Sequence, residues 1–282
     1  MLTKEEVKKL KIFACNIRKN TFRAIHGCGS GHIGGAMSYV EALAVLYGKQ
    51  MKIDPKNPKM EDRDRFVLSK GHSGPSLYAT LSLLGYFPEE ALDTMNKGGT
   101  ILPSHADRKK TPGVDYSTGS LGTGISVAVG SALGAKYHKA DYRTYCVVGD
   151  GECDEGQVWE AVLFAGHNKL DNLTVFVDYN KQQLDGYTKD ILDLGDIAKK
   201  FELFGWYAQD IDGHDVEAID EAIENAKACK DKPSVIVLNT IKGKGCAAAE
   251  AAGLCHHMPM SDETYADEVA RQDALIAEIE AE

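Results

Sequence analysis

The sequence predicts an α/β protein with a parallel sheet sandwiched between helices. Continuous apolar runs of strand length, RTYCVVG, NLTVFVDYN and PSVIVLNT, show no polar face, so both sides of each strand must be covered. Segments of helical length separate them, with apolar residues recurring at helical spacing. Strands that alternate with helices in this way build a parallel sheet with a helical layer on each face.

Val7, Leu10, Phe13, Ala14, Ile17 and Phe22 place an apolar stripe on a helix over 3–26. The glycine-rich loop GCGSGHIGG follows. A second helix, SYVEALAVLYGKQM, has Ser38 as its cap and Glu41 three residues on. Together they form a helical N-terminal extension to about residue 50. DRFVLSKGH is a short strand running into a loop that carries His72. SGPSLYATLSLLG is an apolar helix, and PEEALDTMN a short one with Pro88 at its first position. From Ser117 the pattern becomes regular. The loop STGSLGTG leads to helix ISVAVGSALGAKYHK, strand RTYCVVG, helix EGQVWEAVLFAGHNK and strand NLTVFVDYN. Helix DLGDIAKKFELFG, strand WYAQDID, helix VEAIDEAIENAKACK and strand PSVIVLNT complete the alternation, and the tail after Lys242 reads as less regular. No repeat, low-complexity tract or linker divides residues 1–282, which form a single domain in this reading.

The chain has 282 residues, of which 43% are hydrophobic and 26% charged, proportions suited to a soluble globular core. Its formal charge of -10 argues against a nucleic-acid binder held by backbone electrostatics. A phosphorylated ligand stays compatible where local donors or a metal supply the positive field. The N-terminal stretch is charged from its start, and no segment has the apolar length of a membrane span. Seven scattered cysteines without a Cys-x-x-Cys pair fit a reduced, cytoplasmic protein. Cys15, Cys146 and Cys229 fall in core patterns, whereas Cys28, Cys153 and Cys255 fall in loops.

Gly29-Ser30-Gly31-His32-Ile33-Gly34 matches G-x-G-x-x-G, but it follows a helix rather than the first strand of a βαβ unit. These glycines better serve close approach of the backbone to another surface while presenting His32. More telling are the strand ends, where ligands sit in sheets of this kind. Asp150 ends one strand with a carboxylate, and Asn180 ends another with an amide oxygen about thirty residues later. The chain then turns through Lys181 and Gln182, where a backbone carbonyl offers a third oxygen. Such a set suits Mg²⁺, which fills its remaining positions with water and phosphate oxygens. Gly151 permits backbone approach to a diphosphate, and a helix N-terminus near Glu155 faces the same region. The plainer reading is that Asp150 caps a helix and Asn180 makes a turn.

GDGECDEGQVWEA followed by NLTVFVDYNKQQLDG resembles the thiamine diphosphate signature, and the finer pattern resembles transketolases. SGHIGG is similar to that family's SGHPG, DRFVLSKGH to its DRFVLSxGH, and GVDYSTGSLGTGISVAVG to its TTGxLGQGIxxAVG. The matches run in family order from about residue 3 to 260. The resemblance implies the thiamine diphosphate-binding fold, with Asp150, Asn180 and the Gln182 carbonyl holding Mg²⁺ or Ca²⁺. It implies coenzyme contacts from His72, Gly119, Leu121 and Gly151, and assigns His32 and His105 to proton movement at the substrate. His256, preferred over His257, would touch both coenzyme and substrate. Glu155 and Glu160 match acids that lie between the two active sites of the dimer, with Glu155 toward the coenzyme. Ile33 and Ser120 stand where the family commonly has proline. His138, His167 and His214 read as surface or satisfied core residues.

The chain carries no counterpart of the family's pyrimidine-binding domain or of most of its sugar phosphate contacts. The resemblance therefore implies the N-terminal subunit of a split transketolase. Its partner would be a C-terminal subunit, in an α₂β₂ assembly that also joins two copies of this chain. The pair would move a two-carbon ketol unit between sugar phosphates, in carbohydrate metabolism of the pentose phosphate kind. Competing expectations are half of a 2-oxo acid dehydrogenase or deoxyxylulose-phosphate-synthase-like enzyme, and a non-catalytic coenzyme-binding protein.

Overall fold

A computed structural model describes residues 2–282. In chain order its elements are α1 (Lys4–Cys28), β1 (Ser30–Gly31), α2 (Ile33–Met37), α3 (Val40–Val45), β2 (Arg65–Leu68), α4 (Gly74–Leu83) and α5 (Thr123–His138). Then come β3 (Thr144–Gly149), α6 (Gly156–His167), β4 (Leu173–Tyr179), α7 (Thr188–Ile191), α8 (Ile197–Leu203), β5 (Tyr207–Asp212) and α9 (Val216–Ala228). The chain closes with β6 (Ser234–Asn239), α10 (Ala247–Ala252), β7 (Met258–Pro259) and α11 (Asp262–Ala281).

The five long strands form one sheet in the order β2-β3-β4-β6-β5, with every neighbouring pair parallel. Alternate side chains of each buried strand feed two separate cores, which explains the unbroken apolar runs. Phe66, Leu68, Tyr145, Val147, Phe176, Ile236 and Leu238 pack with α1, α3, α4 and α9 on one face. Val67, Cys146, Val148, Val175, Val177, Val235 and Val237 pack with α5, α6 and α8 on the other. β5 lies at the sheet's edge and is the most exposed strand, matching its polar sequence YAQDID. Among the described residues no helix is long and apolar enough to cross a membrane.

Several local expectations need correction. Ser38 does not begin a helix but closes α2 as its C-cap: its buried hydroxyl bonds the Gly35 carbonyl and the Asp178 carboxylate, and Tyr39 holds the N-cap position of α3. Glu41 is drawn instead into a buried pair with Arg18 at 2.5 Å, and its other oxygen meets His214 at 3.2 Å. α1 is no appendage, since Ile17, Phe22, Ala24 and Ile25 are fully buried and it packs on α3, α4 and α11. Residues 89–94 form a 3₁₀ turn with Pro88 outside it. The tail after residue 242 is ordered, ending in the long α11. Cys153 and Cys255 are buried despite their loop positions, while Cys229 is only half-buried.

Gly124, in the first turn of α5, lets that helix lie directly on the end of β2: a Cβ there would stand 2.5 Å from Ser69 Cα. Gly130, one face further along, has nothing within 4 Å of such a Cβ. Gly124→Ala is expected to destabilise the chain by about 1–3 kcal/mol through overpacking against backbone. Gly130→Ala is expected to stabilise the isolated chain by roughly 0.5–1 kcal/mol through helix propensity. Chemical denaturation of the two variants reads both signs.

Candidate active site

The carboxyl ends of β2, β3, β4 and β6 meet at one edge of the sheet and carry Lys70, Asp150, Asn180 and Lys242 just beyond them. They line a cavity of about 340 Å³ together with His72 from the β2 loop, Gly119 and Leu121 from the loop before α5, and His32, His105 and His256. Gly151 and Gln182 complete the set expected from the sequence. Glu155 does not join it, nor does Glu160: both are exposed, Glu155 just before α6 and Glu160 on its outer face.

The Gly149–Glu152 turn is fixed from beneath by Glu152, which is buried and accepts from Gly122 N–H at 2.8 Å, Gly149 N–H at 3.0 Å and the Ser69 hydroxyl. One carboxylate thus ties three loops of the cavity together. Asp150 Oδ1 accepts from Gly151 N–H at 2.8 Å and Oδ2 from Lys181 N–H at 2.5 Å. Lys181 reaches it by taking a left-handed backbone conformation, φ 67°. The same bend turns the next peptide so that Asn180 Oδ1 accepts from Gln182 N–H at 3.2 Å. The capping reading and the cavity-lining reading of Asp150 are therefore both realised.

Burial, joined by the nearby Asp178 carboxylate, raises the Asp150 carboxyl to about 7 against the pull of its two N–H donors. A carboxylate so deep and so weakly compensated has the character of a cation ligand. The donors fit a hard ion: one carboxylate, one amide oxygen and one backbone carbonyl, with room for further oxygens. The described residues hold no cluster of three or more His, Cys, Asp or Glu that would suit a softer metal. The Gln182 carbonyl already accepts a positive partner, the Lys242 ammonium at 3.0 Å, which also bonds the Gln183 carbonyl at 3.1 Å.

His32 stands among the other histidine rings of the site. Its ring centroid lies 5.2 Å from those of His72 and His256, 6.1 Å from that of His105 and 4.9 Å from that of His257. Burial lowers His72 to about 2 and His32 and His256 to about 4, helped by neighbouring positive or imidazole groups. These rings are neutral at physiological pH and can each donate and accept a hydrogen bond. His256 Nδ1 is buried without a partner, so it is free for a ligand. His257 is exposed, does not line the cavity and meets His32 edge-on, with an interplanar angle of 89°.

Presentation of His32 depends on close backbone packing behind it. Gly34 N–H donates to the Cys255 carbonyl at 3.0 Å, and a Cβ on Gly34 would stand 2.4 Å from that oxygen. Ile33 is buried in the apolar core, so an aliphatic side chain substitutes there for the ring of proline. His138 and His167 are exposed, and His214 is satisfied between Glu41 and the Ile241 N–H.

Sequence reasoning overlooked Lys70, Lys242 and Asp178. Both lysines follow strand ends, and the strand-end rule that found Asp150 and Asn180 would have flagged them. Asp178 had no such signal, because its partners lie far away along the chain.

Residues 10–273 match the family described as transketolase, thiamine diphosphate binding domain. The chain is 51% identical over 266 residues to a 6-deoxy-6-sulfo-D-fructose transketolase subunit of Clostridium sp. (strain MSTE9), covering 94% of each chain. It is 36% identical over 277 residues to an apulose-4-phosphate transketolase subunit of Phocaeicola vulgatus, covering 98% of each. A transketolase structure from Pichia stipitis superposes with a TM-score of 0.85 at 30% identity, over 96% of this chain and 45% of that one. A second, from Leishmania mexicana, gives 0.84 at 32% identity over the same shares.

An Asp150 carboxyl raised toward 7 makes protonation favour the metal-free fold. That contribution is full below the unfolded value of about 3.9 and is lost as pH rises through about 7. Asp150→Asn should therefore raise the thermal midpoint of the metal-free chain most near pH 8 and least near pH 4. Parallel melts of parent and variant cancel the opposite trend of the histidines, and a pH-independent difference would contradict the assignment.

Proposed function

The chain belongs to the transketolase family as an N-terminal, thiamine diphosphate-binding subunit, and from that premise we propose that it works with a separate C-terminal subunit to transfer a two-carbon ketol unit from a ketose to an aldose. The observation that carries this reading is one cavity lined both by Asp150, Asn180 and Gln182 and by the histidines His32, His72, His105 and His256. Asp150, Asn180 and the Gln182 carbonyl would hold Mg²⁺, or Ca²⁺ in its place, and the ion would anchor the coenzyme's diphosphate. His72, Gly119, Leu121 and Gly151 would contact the coenzyme. Lys242, which donates to the Gln182 carbonyl, would exchange that partner for a phosphate oxygen. When bound, the coenzyme supplies the nucleophilic carbon and the electron sink.

This chain's contribution is binding and proton traffic. His32, His105 and His256 would hydrogen-bond the carbonyl and hydroxyl oxygens of the sugar and move protons between them. Depressed basicity keeps His32 and His256 unprotonated and ready to accept. Relatives of the same extent are themselves named as subunits, which supports a partner chain carrying the pyrimidine-binding half. Leu133 and Tyr137 on α5 and Leu163 and Phe164 on α6 are exposed, as suits a face covered in an assembly of two copies of each chain. Glu155 and Glu160, out of reach of this cavity, would act across that contact. The relatives' names point to ketoses with an anionic end group, sulfonate or phosphate, as substrates.

The test is reconstitution with the partner subunit, thiamine diphosphate and Mg²⁺, assayed with 6-deoxy-6-sulfo-D-fructose, apulose 4-phosphate and a common ketose phosphate. Ketol transfer should need both chains, and turnover by this chain alone would overturn the split assignment. In the complex, His32→Ala is expected to lower kcat by about 10²–10⁴-fold while leaving coenzyme affinity nearly unchanged.

A further inference from the structure

Asn180 carries a problem that its sequence position does not solve. The two ends of a side-chain amide have nearly the same shape, yet only the oxygen can ligate a cation. An amide turned the wrong way would aim N–H groups at the ion. We infer that Asp178 is a positioning residue, which fixes the amide of Asn180 with its oxygen toward the cation site. The inference rests on the metal-ligand role proposed for Asn180.

Asn180 Nδ2 lies 2.9 Å from Asp178 Oδ2. Asp178 is fully buried at the carboxyl end of β4. The same oxygen accepts from the Ser38 hydroxyl at 2.5 Å and from Lys70 Nζ at 2.5 Å, while Oδ1 accepts from the Thr240 hydroxyl at 2.5 Å. Every hydrogen-bond partner of the carboxylate is therefore a donor, and one of them is the Lys70 ammonium, a direct counter-charge. An ionised carboxylate accepts and never donates. Flipping the Asn180 amide would set two oxygens face to face in a buried site and lose a charge-assisted hydrogen bond. It would also break the bond that Asn180 Oδ1 accepts from Gln182 N–H.

Asp178 is well placed to transmit this orientation. The hydroxyls and ammonium that hold it come from the α2–α3 junction, the β2 end and the β6 end. Its backbone carbonyl accepts from Asp150 N–H at 3.2 Å, so the proposed carboxylate and amide ligands are registered to one residue. A purely structural Asp178 would show its loss in stability alone, whereas a positioning role requires a loss of metal affinity beyond it.

The experiment uses the complex with its partner subunit, saturated with thiamine diphosphate, and Mn²⁺ as a paramagnetic probe whose binding is read by electron paramagnetic resonance. Asp178→Asn should weaken Mn²⁺ binding by about tenfold or more, as loss of an outer partner typically does. Ser38→Ala and Thr240→Val each remove one hydrogen bond to Asp178 but leave its contact with Asn180. They should lower the thermal midpoint while changing Mn²⁺ affinity by less than about twofold. The exchanged pair, Asp178→Asn with Asn180→Asp, keeps the net charge and the N–H···O contact with its polarity reversed. It should recover Mn²⁺ binding that both single variants lose, and it keeps the test open should Asp178→Asn fail to fold. Unchanged affinity in Asp178→Asn, equal losses in the two hydroxyl controls, or no recovery in the exchanged pair would overturn the positioning role. A parent complex that takes up no Mn²⁺, or takes it up equally well after Asp150→Ala, would overturn the metal reading itself.

Discussion

Lys70 Nζ and Asp178 Oδ2 stand 2.5 Å apart, both closed off from solvent, where taking two charges out of water costs several kcal/mol per ion. Such a pair survives only if its remaining hydrogen-bonding capacity is met. Lys70 also donates to the Gly35 carbonyl at 2.8 Å and lies over the Tyr39 ring, 4.2 Å from its centroid. Ser38, Thr240 and Asn180 fill the carboxylate. The ends of three strands and the glycine loop that presents His32 thus converge on one buried charge pair. The hydrophobic cores stack the sheet and its helices, but they do not specify how far one strand end projects past another. This network does, and the cavity is the space left above it.

The two buried carboxylates at the strand ends are compensated unequally. At the strand ends Asp150 and Asp178 are near enough to raise each other's cost of ionisation, and only Asp178 has a buried ammonium bonded directly to it. Lys242 partly compensates Asp150, though its own ammonium is destabilised by burial and engaged by two carbonyls. A divalent ion with an attached diphosphate would satisfy the carboxylate, free the carbonyls and give Lys242 an anionic partner. Among the histidines, burial and crowding disfavour the cations of His32, His72 and His256, and the buried Nδ1 of His256 has no partner within the chain.

The sheet was legible because both of its faces are buried: unbroken apolar runs at β2, β3, β4 and β6, alternating with helices, fit little besides strands covered on both sides. Most of the cavity was legible too, since it lies at strand ends marked by Gly-Asp-Gly, Asn-Lys-Gln and Lys-Gly-His. Residues whose roles depend on distant partners escaped. Asp178 reads as the polar close of a strand, yet it meets Lys70, Ser38 and Thr240, all more than sixty positions away. Ser38 looked like a cap because a serine before an apolar run normally is one, and the buried carboxylate outcompeted the helix end for its hydroxyl. α11 was missed because it buries little, chiefly Glu268, Gln272 and Ile279, so its apolar stripe is faint. Glu155 and Glu160 were assigned by motif alone, and a single chain leaves them facing solvent.

The division of labour within the cavity bears on why relatives of similar length carry names for different sugars. Both ammonium groups of the cavity, Lys70 and Lys242, are bonded at the strand-end side, beside Asp178 and the Gln182 carbonyl. The histidine wall offers neutral donors and acceptors that suit the carbonyl and hydroxyls common to every ketose. A wall built this way can stay constant while the anionic end of the substrate is read elsewhere. The relatives at 51% and 36% identity, named for a sulfonated and a phosphorylated sugar, are what such a separation allows. On the function proposed above, chemistry at the end shared by all ketoses would place its constraints on this chain, and discrimination at the far end would fall to groups outside this cavity.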